Sequence, residues 1–277
     1  MIANTIKTNL SQIHHKQPWL VMNAAKKFSL ANSSHPVISH FYAFEAGDVK
    51  QTPFAIPDGC IDVLFDCHKE HPTAEVFGTP LEAVDINLTR KHRYFGIRYK
   101  PSVMPDFLNL AASELVNKHY SLLDLIPTSN QLVDEITREK NFASQIMAFE
   151  TFMAKKQQRK HSDLTAFVVK QICLNQGNIK IKDLEASTGF TTRTLQRKFQ
   201  DDMGVSPKVY SRIIRCQSAV YKINQSDNVS FSDLAFDLGF TDQPHFLREF
   251  KRLVSTTPLR YQGKVKHQSY LNKIQYA

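Results

Sequence analysis

The sequence predicts an α+β protein in which a β-rich N-terminal part precedes an all-helical C-terminal part. Up to about residue 100, short runs of alternating apolar residues are separated by Pro and Gly, a pattern typical of strands and turns. Beyond about residue 160, apolar residues recur at helical spacing almost throughout. Within that helical part, one segment of the pattern is repeated about fifty residues later.

The composition is that of a folded protein. Its 277 residues are 42% hydrophobic and 22% charged, which is sufficient for a sizeable hydrophobic core. No stretch reaches the roughly eighteen apolar residues of a membrane span, and the N-terminus lacks the continuous apolar run of a secretory signal. The four cysteines do not suggest a disulfide framework in a chain of this length, so we expect reduced thiols and a cytoplasmic protein.

Basic residues are concentrated in the C-terminal part. The formal net charge is +9 at pH 7. Residues 1–160 contain 18 Lys and Arg against 16 Asp and Glu, whereas residues 161–277 contain 17 against 10. A basic excess in one part of a chain favours a polyanionic partner for that part, and nucleic acid is the first candidate.

The N-terminal part begins with residues 1–34, which are polar and irregular in pattern. Within the run that follows Gly59, Ile61, Val63 and Phe65 share one face, as in a strand with one buried side. Three runs predict strands: FYAF at 41–44, CIDVLFD at 60–66 and YFGIRY at 94–99.

Helical spacing extends from about residue 102 to residue 158. The segment Lys155–Lys160 then has no apolar residue and carries four positive charges, which predicts a linker or the exposed end of a helix. We therefore divide the chain into residues 1–158, residues 159–265 and a C-terminal tail of residues 266–277.

The helical part contains an internal repeat. Ile179–Tyr210 matches Val229–Tyr261 at a spacing of fifty residues and, after one inserted residue, of fifty-one. Two copies of one supersecondary unit explain the match. The matching pairs are Ile181 and Phe231, Asp183 and Asp233, Leu184 and Leu234, Gly189 and Gly239, Phe190 and Phe240, Arg197 and Arg248, Phe199 and Phe250, Pro207 and Pro258, and Tyr210 and Tyr261.

Each copy is predicted to form a short helix, a tight turn and a second helix. Gly189 and Gly239 can adopt the left-handed conformation that ends a helix, and a following Thr or Asp can cap the next one. The second helix turns its apolar residues to the core and leaves an outer face rich in Arg, with Gln in the first copy. This is the layout of a helix-turn-helix, whose second helix enters the DNA major groove. An ordinary helical hairpin with a solvated face explains two such copies less well.

The segment between the copies predicts a long linking helix. Ser206 and Pro207 provide a cap and a proline at the first helical position, and helical spacing continues to about Gln225. Such a helix is about 28 Å long at a rise of about 1.5 Å per residue. Because one turn of B-DNA spans about 34 Å, it could hold two reading helices in successive major grooves.

Three segments of the helical part are GFTTRTLQRKFQDDMGVSPKVY, IRCQSAVYKI and FSDLAFDLGFTDQPHFLREFKRLVSTTPLRY. Together they resemble the DNA-binding domain of the AraC/XylS family of bacterial transcription regulators. The resemblance covers about residues 161–263. It implies a sequence-specific DNA-binding transcription regulator and not an enzyme. We accordingly expect no catalytic residue, no cofactor and no metal site.

The resemblance assigns base reading to the outer faces of the second helices. Pro244 and Leu247 cannot donate to a base edge, so they could offer only apolar contact to a thymine methyl group, and the first copy is expected to be the stronger reader. The expected base-reading residues are Arg193, Gln196, Arg197, Gln243, Pro244, His245, Leu247 and Arg248, and the expected phosphate contacts are Thr191, Thr192, Lys198, Thr241 and Lys251.

Three segments of the N-terminal part are similar to the sensor or partner domain of one AraC-type subgroup. They are PDGCIDVLFD (57–66), FGIRYKPSVMPDFL (95–108) and AASELVNKHYSLLDL (111–125). That similarity implies a cupin-like β-rich domain with helices, followed by the all-α domain of two helix-turn-helix units joined by a linker helix. It identifies no effector-binding residue. The candidate partners are double-stranded DNA, RNA polymerase, a small-molecule effector and a second copy bound through the N-terminal domain. We expect no membrane association.

Other interpretations of the N-terminal part are disfavoured or stay open. Cys60 and Cys67 form no CxxC pair, so core roles are expected for them, and Asp62 and Asp66 would lie on the polar face of a strand. An Ada-like alkyl-transfer protein would need a four-cysteine zinc site, which two cysteines cannot form. A ligand-independent regulator, whose N-terminal domain only docks a protein partner, stays open.

Overall fold

A seven-stranded mixed sheet organises the N-terminal half of the protein. The computed structural model describes residues 17–47, 53–101, 103–105, 107–154, 162–226, 228–268 and 270–277. The elements of this half are α1 (Pro18–Asn23), β1 (Ala24–Asn32), β2 (Ile38–Ala46), β3 (Phe54–Ala55), β4 (Asp62–Asp66), β5 (Thr73–Phe77), β6 (Val84–Asp85), β7 (Arg93–Tyr99), α2 (Ala112–Leu115), β8 (His119–Ser121), α3 (Leu122–Leu125), α4 (Asn130–Arg138) and α5 (Phe142–Ala154).

The strands of the large sheet lie in the order β8-β5-β4-β7-β2-β1-β9, where β9 is Ile274–Tyr276. Neighbouring strands are antiparallel except β1 and β9, which are parallel. β3 and β6 form a separate two-stranded sheet. The three runs that predict strands lie in β2, β4 and β7, where Ile97 is opposite both Phe41 and Val63, and these strand predictions are confirmed.

Both faces of the large sheet are covered. Val63 and Phe65 are fully buried in a cluster that includes α4 and α5. On the opposite face, Tyr42, Leu64 and Tyr94 belong to a second cluster, which includes α1 and residues of the C-terminal helices. The residues that strand alternation assigns to solvent therefore face another part of the same chain.

The C-terminal half is helical and contains both predicted helix-turn-helix units. Gly189 and Gly239 have φ values of 71° and 70° in the turns of the two units, as predicted. Among the described helices, none combines the length and apolar character that a bilayer-spanning segment requires. The helices are α6 (Asp163–Leu174), α7 (Ile181–Thr188), α8 (Thr192–Met203), α9 (Pro207–Gln225), α10 (Phe231–Asp237), α11 (Gln243–Val254) and α12 (Pro258–Gln268).

The two halves share one hydrophobic cluster, to which α1, α11 and α12 contribute buried side chains. The Trp19 indole N–H donates to the carbonyl oxygen of Val254 over 3.1 Å. Its ring packs edge-on against Tyr261, with ring centroids 5.7 Å apart. Helix α1 thus anchors the N-terminal half to the second helix-turn-helix unit.

A second contact between the halves involves the loop 57–60, which precedes β4. The Gln217 side-chain amide, on α9, donates to the carbonyl oxygen of Pro57 over 2.7 Å. The backbone of Gly59 lies against the ring of Tyr210, near the start of α9. This loop therefore docks directly on the helix that links the two units.

Three sequence expectations need comment. Residues 18–32 form α1 and β1, so the description of residues 1–34 as irregular is wrong there. Five consecutive residues of the short helix α1 are buried, so its sequence shows no periodicity. Residues 274–276, assigned to a C-terminal tail, pair with β1 as strand β9. The predicted linker, residues 155–160, lies outside the described residues, and the domain boundaries stay predictions.

Replacing Gly59 by Ala is expected to destabilise the protein more than replacing Gly189 by Ala. Both glycines have positive φ, 78° and 71°, so both changes incur a left-handed backbone strain of about 1–2 kcal/mol. Only at position 59 would the new Cβ overlap the Tyr210 ring, whereas nothing lies within 4 Å of a Cβ at position 189. The overlap should add about 1–3 kcal/mol. Thermal unfolding of both variants measures the difference, and equal midpoints would contradict the docking of loop 57–60 on α9.

Candidate nucleic-acid interface and the neighbouring cavity

Helix α8, the second helix of the first unit, begins at a side-chain cap. The Thr191 hydroxyl accepts a hydrogen bond from the backbone N–H of Thr194 over 3.4 Å. Leu195 and Phe199 are buried in the core of the unit. The opposite face is exposed and carries Arg193, Gln196, Arg197 and Lys198.

Helix α11 repeats this arrangement in the second unit. The Asp242 carboxylate accepts from the backbone N–H of His245 over 2.6 Å, and Phe246 and Phe250 are buried. Leu247 is half-buried and packs against the hydrophobic cluster, so it presents less surface than its neighbours. The exposed residues of this helix include Gln243, Pro244, Arg248 and Lys251.

The basic residues of these helices fall into two groups. The first group is Arg252, which pairs with Glu249 of the same helix at 3.2 Å and with Glu82 of the N-terminal half at 3.6 Å. Glu249 also pairs with Arg212 of α9, at 2.8 Å. The other group forms no ion pair with any residue that the structure describes, and its charge is available to a polyanion. That group is Arg193, Arg197, Lys198, Arg248 and Lys251.

Arg215 of α9 holds the two units together. Its guanidinium donates to the carbonyl oxygen of Gly239 over 3.1 Å and to that of Gly177 over 3.0 Å. Gly239 lies in the turn of the second unit, and Gly177 precedes α7 of the first. The guanidinium also lies 5.2 Å from the centre of the Phe240 ring. The sequence analysis did not identify this residue.

A cavity of about 340 Å³ opens between the large sheet, α1 and the loop after β5. Arg98 lies at its floor and donates to both oxygens of Asp62, over 3.0 and 2.7 Å, and to Asp58. The Gln17 amide donates to Asp58 over 2.8 Å, and the Tyr42 hydroxyl donates to Asp62 over 3.1 Å. The backbone N–H of Cys60 donates to the other oxygen of Asp58 over 3.0 Å, so every carboxylate oxygen of the pair has a hydrogen-bond partner.

Burial dominates the electrostatics of this floor. It raises the pKa of Asp62 above its usual range, although Arg98 acts in the opposite direction. Burial likewise raises the pKa of the Tyr42 hydroxyl, which keeps it a hydrogen-bond donor at neutral pH. The cavity therefore has a polar, mostly buried floor beneath a partly apolar wall.

Residues 184–264 match a family described as "Helix-turn-helix domain", and residues 33–121 match a family described as "Domain of unknown function (DUF6597)". The chain is 32% identical over 100 residues to the probable transcription factor PqrA of Proteus vulgaris, in a match that covers 36% of this chain and 80% of PqrA. The chain belongs to the AraC/XylS family of transcriptional regulators.

Other similar proteins match over a shorter stretch or at lower identity. The HTH-type transcriptional activator RhaS of Yersinia pestis is 38% identical over 66 residues, which are 24% of each protein, so the chain spans about a quarter of RhaS. A probable AraC family regulator from Rhodopseudomonas palustris has 25% identity and a TM-score of 0.35, covering 37% of this chain and 97% of that one. ToxT from Vibrio cholerae has 12% identity and a TM-score of 0.40, covering 87% and 97%.

For a member of the AraC/XylS family, the helix-turn-helix domain is the DNA-binding part, and the structure places the expected reading residues on α8 and α11. Most of these side chains are exposed, whereas His245 and Leu247 are half-buried. Among the expected phosphate contacts, Thr192 is half-buried and the others are exposed. Which of them contact bases and which contact phosphates stays a prediction.

The sequence analysis did not find the cavity, and it placed Asp62 on the polar face of β4. Alternation identifies the two faces of a strand, but it does not show whether another part of the chain covers the polar one. One signal was present: Asp62 and Arg98 are charged residues that both lie within apolar strands. Because Asp62 is directly opposite Arg98 in the sheet, only the strand register reveals the pair.

Replacing Thr191 by Val is expected to destabilise the protein by about 1 kcal/mol, because α8 loses its cap. The matched control is Thr192→Val, since the structure describes no hydrogen bond from the Thr192 hydroxyl. Urea unfolding of the two variants without DNA measures the difference. Equal destabilisation would show that the Thr191 cap does not hold the start of α8.

Proposed function

We propose that this regulator binds specific DNA sequences by placing α8 and α11 in two successive major grooves. The observation that carries the proposal is the group of exposed cations on both capped helices, which form no ion pair within the part of the chain that the structure describes. Helix α9 has 19 residues, or about 28 Å at about 1.5 Å per residue, close to the roughly 34 Å turn of B-DNA. One chain could thus contact two half-sites.

The proposed roles follow from side-chain chemistry. Arg193 and Arg197 can each donate two hydrogen bonds to guanine, and Gln196 can pair with adenine. In α11, Arg248 is the corresponding guanine reader. The other proposed base contacts are Gln243, Pro244, His245 and Leu247, and the proposed phosphate contacts are Thr191, Thr192, Lys198, Thr241 and Lys251.

We further propose that the N-terminal half binds a small-molecule effector in the cavity. Asp58 belongs to the same loop as Pro57 and Gly59, which contact α9. Gln17 precedes α1, whose Trp19 contacts the end of α11. A ligand that moves the loop would therefore act on the linking helix α9. A ligand that moves α1 would act on the second unit.

The other candidate roles of the N-terminal half are docking of a second copy and docking of a protein partner such as RNA polymerase. These stay predictions. Dimerisation can be distinguished from ligand sensing by its concentration dependence. The fraction of dimer rises with protein concentration, whereas the fraction of protein with bound effector is set by the free effector concentration.

Replacing Arg197 by Ala is expected to weaken binding to the preferred DNA site by about 1–3 kcal/mol and to relax base preference at one position. The preferred site is first selected from random duplexes with the unaltered protein. The comparison variant is Lys251→Ala, which removes a proposed phosphate contact.

For Lys251→Ala, we expect uniformly weaker binding to all sequences and a salt dependence that is lower by about one unit of log–log slope. Fluorescence anisotropy with the selected site and a scrambled duplex, at several salt concentrations, measures both variants. The assignment of reading and phosphate residues is wrong if both variants lose affinity for the two duplexes equally.

Effector binding is expected to raise the thermal unfolding midpoint of the full chain as ligand concentration increases, because only the folded state has the cavity. A panel of metabolites supplies the ligands, and sedimentation at several protein concentrations is measured in parallel. A midpoint that responds to no ligand, together with concentration-dependent sedimentation, would favour dimerisation instead.

A further inference from the structure

The geometry points to a small organic cation as the ligand of the cavity, with an ammonium or amidinium group on an apolar body. This inference rests on the proposed effector-binding role of the cavity and adds the chemical class. Its volume of about 340 Å³ lies within the range of small-molecule sites.

The first argument is the charge of the cavity floor. Asp58, Asp62 and Glu75 line it together with the single guanidinium of Arg98. One guanidinium offsets one carboxylate, so an excess of negative charge is left on the cavity floor. At the rim, the exposed Asp85 and Lys118 offset each other, and His119, also exposed, stacks on Phe77.

Secondly, the exposed fractions of the charged side chains determine which of them a ligand in the cavity would contact. The Asp62 side chain is 14% exposed, whereas those of Arg98 and Asp58 are only 5% and 3% exposed. All three guanidinium nitrogens of Arg98 already donate to these two carboxylates. A ligand therefore approaches a carboxylate, while the cation behind it is covered and engaged.

The third argument is the arrangement around Asp62. In the register of β4 and β5, Phe77 is opposite Asp62 and Glu75 is opposite Leu64. Asp62 and Glu75 are thus diagonal neighbours on one face, with a spacing of about 7–8 Å between their Cα atoms. The Glu75 side chain forms no hydrogen bond or ion pair with another residue in the described parts of the chain, so its charge is available.

This arrangement suits an organic cation better than a metal ion. A calcium or magnesium ion needs several oxygens within about 2.0–2.6 Å, whereas these carboxylates are separated and the oxygens of Asp62 already accept from Arg98 and Tyr42. An ammonium group can donate to both carboxylates. Its apolar body can lie on Leu64 and Phe77, and an aromatic ring also attracts cations.

The test uses three compounds with the same phenyl ring and different charge: 2-phenylethylammonium, 2-phenylethanol and 3-phenylpropionate. Isothermal titration calorimetry with the full chain measures each affinity. We expect the ammonium compound to bind about tenfold more tightly than the alcohol, and the carboxylate to bind most weakly. Equal or tighter binding of the alcohol or the carboxylate overturns the inference, and so does a lack of binding by all three.

A matched pair of variants locates the site. Glu75→Gln removes one charge at nearly constant volume and should weaken ammonium binding about tenfold without changing alcohol binding. Glu70→Gln removes a carboxylate from the exposed loop between β4 and β5 and should change neither. An unaltered preference for the ammonium compound in the Glu75 variant overturns the assignment of the site.

DNA binding by the same preparations separates this inference from the proposed function. A protein that binds the ammonium compound but no specific DNA sequence supports the cation site and removes the proposed function. A protein that binds its DNA site and prefers the carboxylate removes only the cation site.

Discussion

The guanidinium of Arg215 connects the two helix-turn-helix units, and the DNA-binding geometry depends on it. It donates to carbonyl oxygens of both units from the middle of α9, a helix whose inner face is buried along most of its length. The separation of α8 and α11 is therefore set by folding, before any DNA is bound. A preformed pair of reading helices loses less conformational freedom on binding than two independently moving units would.

The same helix is the point at which the N-terminal half meets the DNA-binding half. Tyr210 and Gln217 contact the loop 57–60 on one side, and Asp58 of that loop joins the ionic cluster of the cavity on the other. Breaking a buried ion pair from one side typically destabilises a protein by about 3–5 kcal/mol, so the Asp58–Arg98 contact holds the loop firmly. A ligand can shift this arrangement only through different affinities for two positions of the loop.

The sequence predicted the local features of this fold and missed those that join distant segments. The caps at Ser206, the glycine turns and the span of α9 follow from neighbouring residues, and their positions agree with the structure. Strand β9 and helix α1 acquire their roles from partners about 250 residues away, for which no local pattern exists. The cavity depends on strand register, which alternation within one strand does not define. The candidate reading faces were therefore predictable, whereas the cavity was not.

The two units are not equivalent in how the N-terminal half holds them. The end of α11 is fixed by the contacts of Trp19 with Val254 and of Glu82 with Arg252, and its Glu249 is engaged by α9. The first unit contacts the N-terminal half where α8 ends, at Gly204, beside the backbone of Ala112, and again where the Tyr210 ring lies against Gly59. The outer face of α8, which we propose reads DNA, is thus positioned by its own unit and by α9. The position of α11 also depends on α1 and on the loop after β5, both of which line the cavity. A bound ligand would therefore act on α11 more directly than on α8.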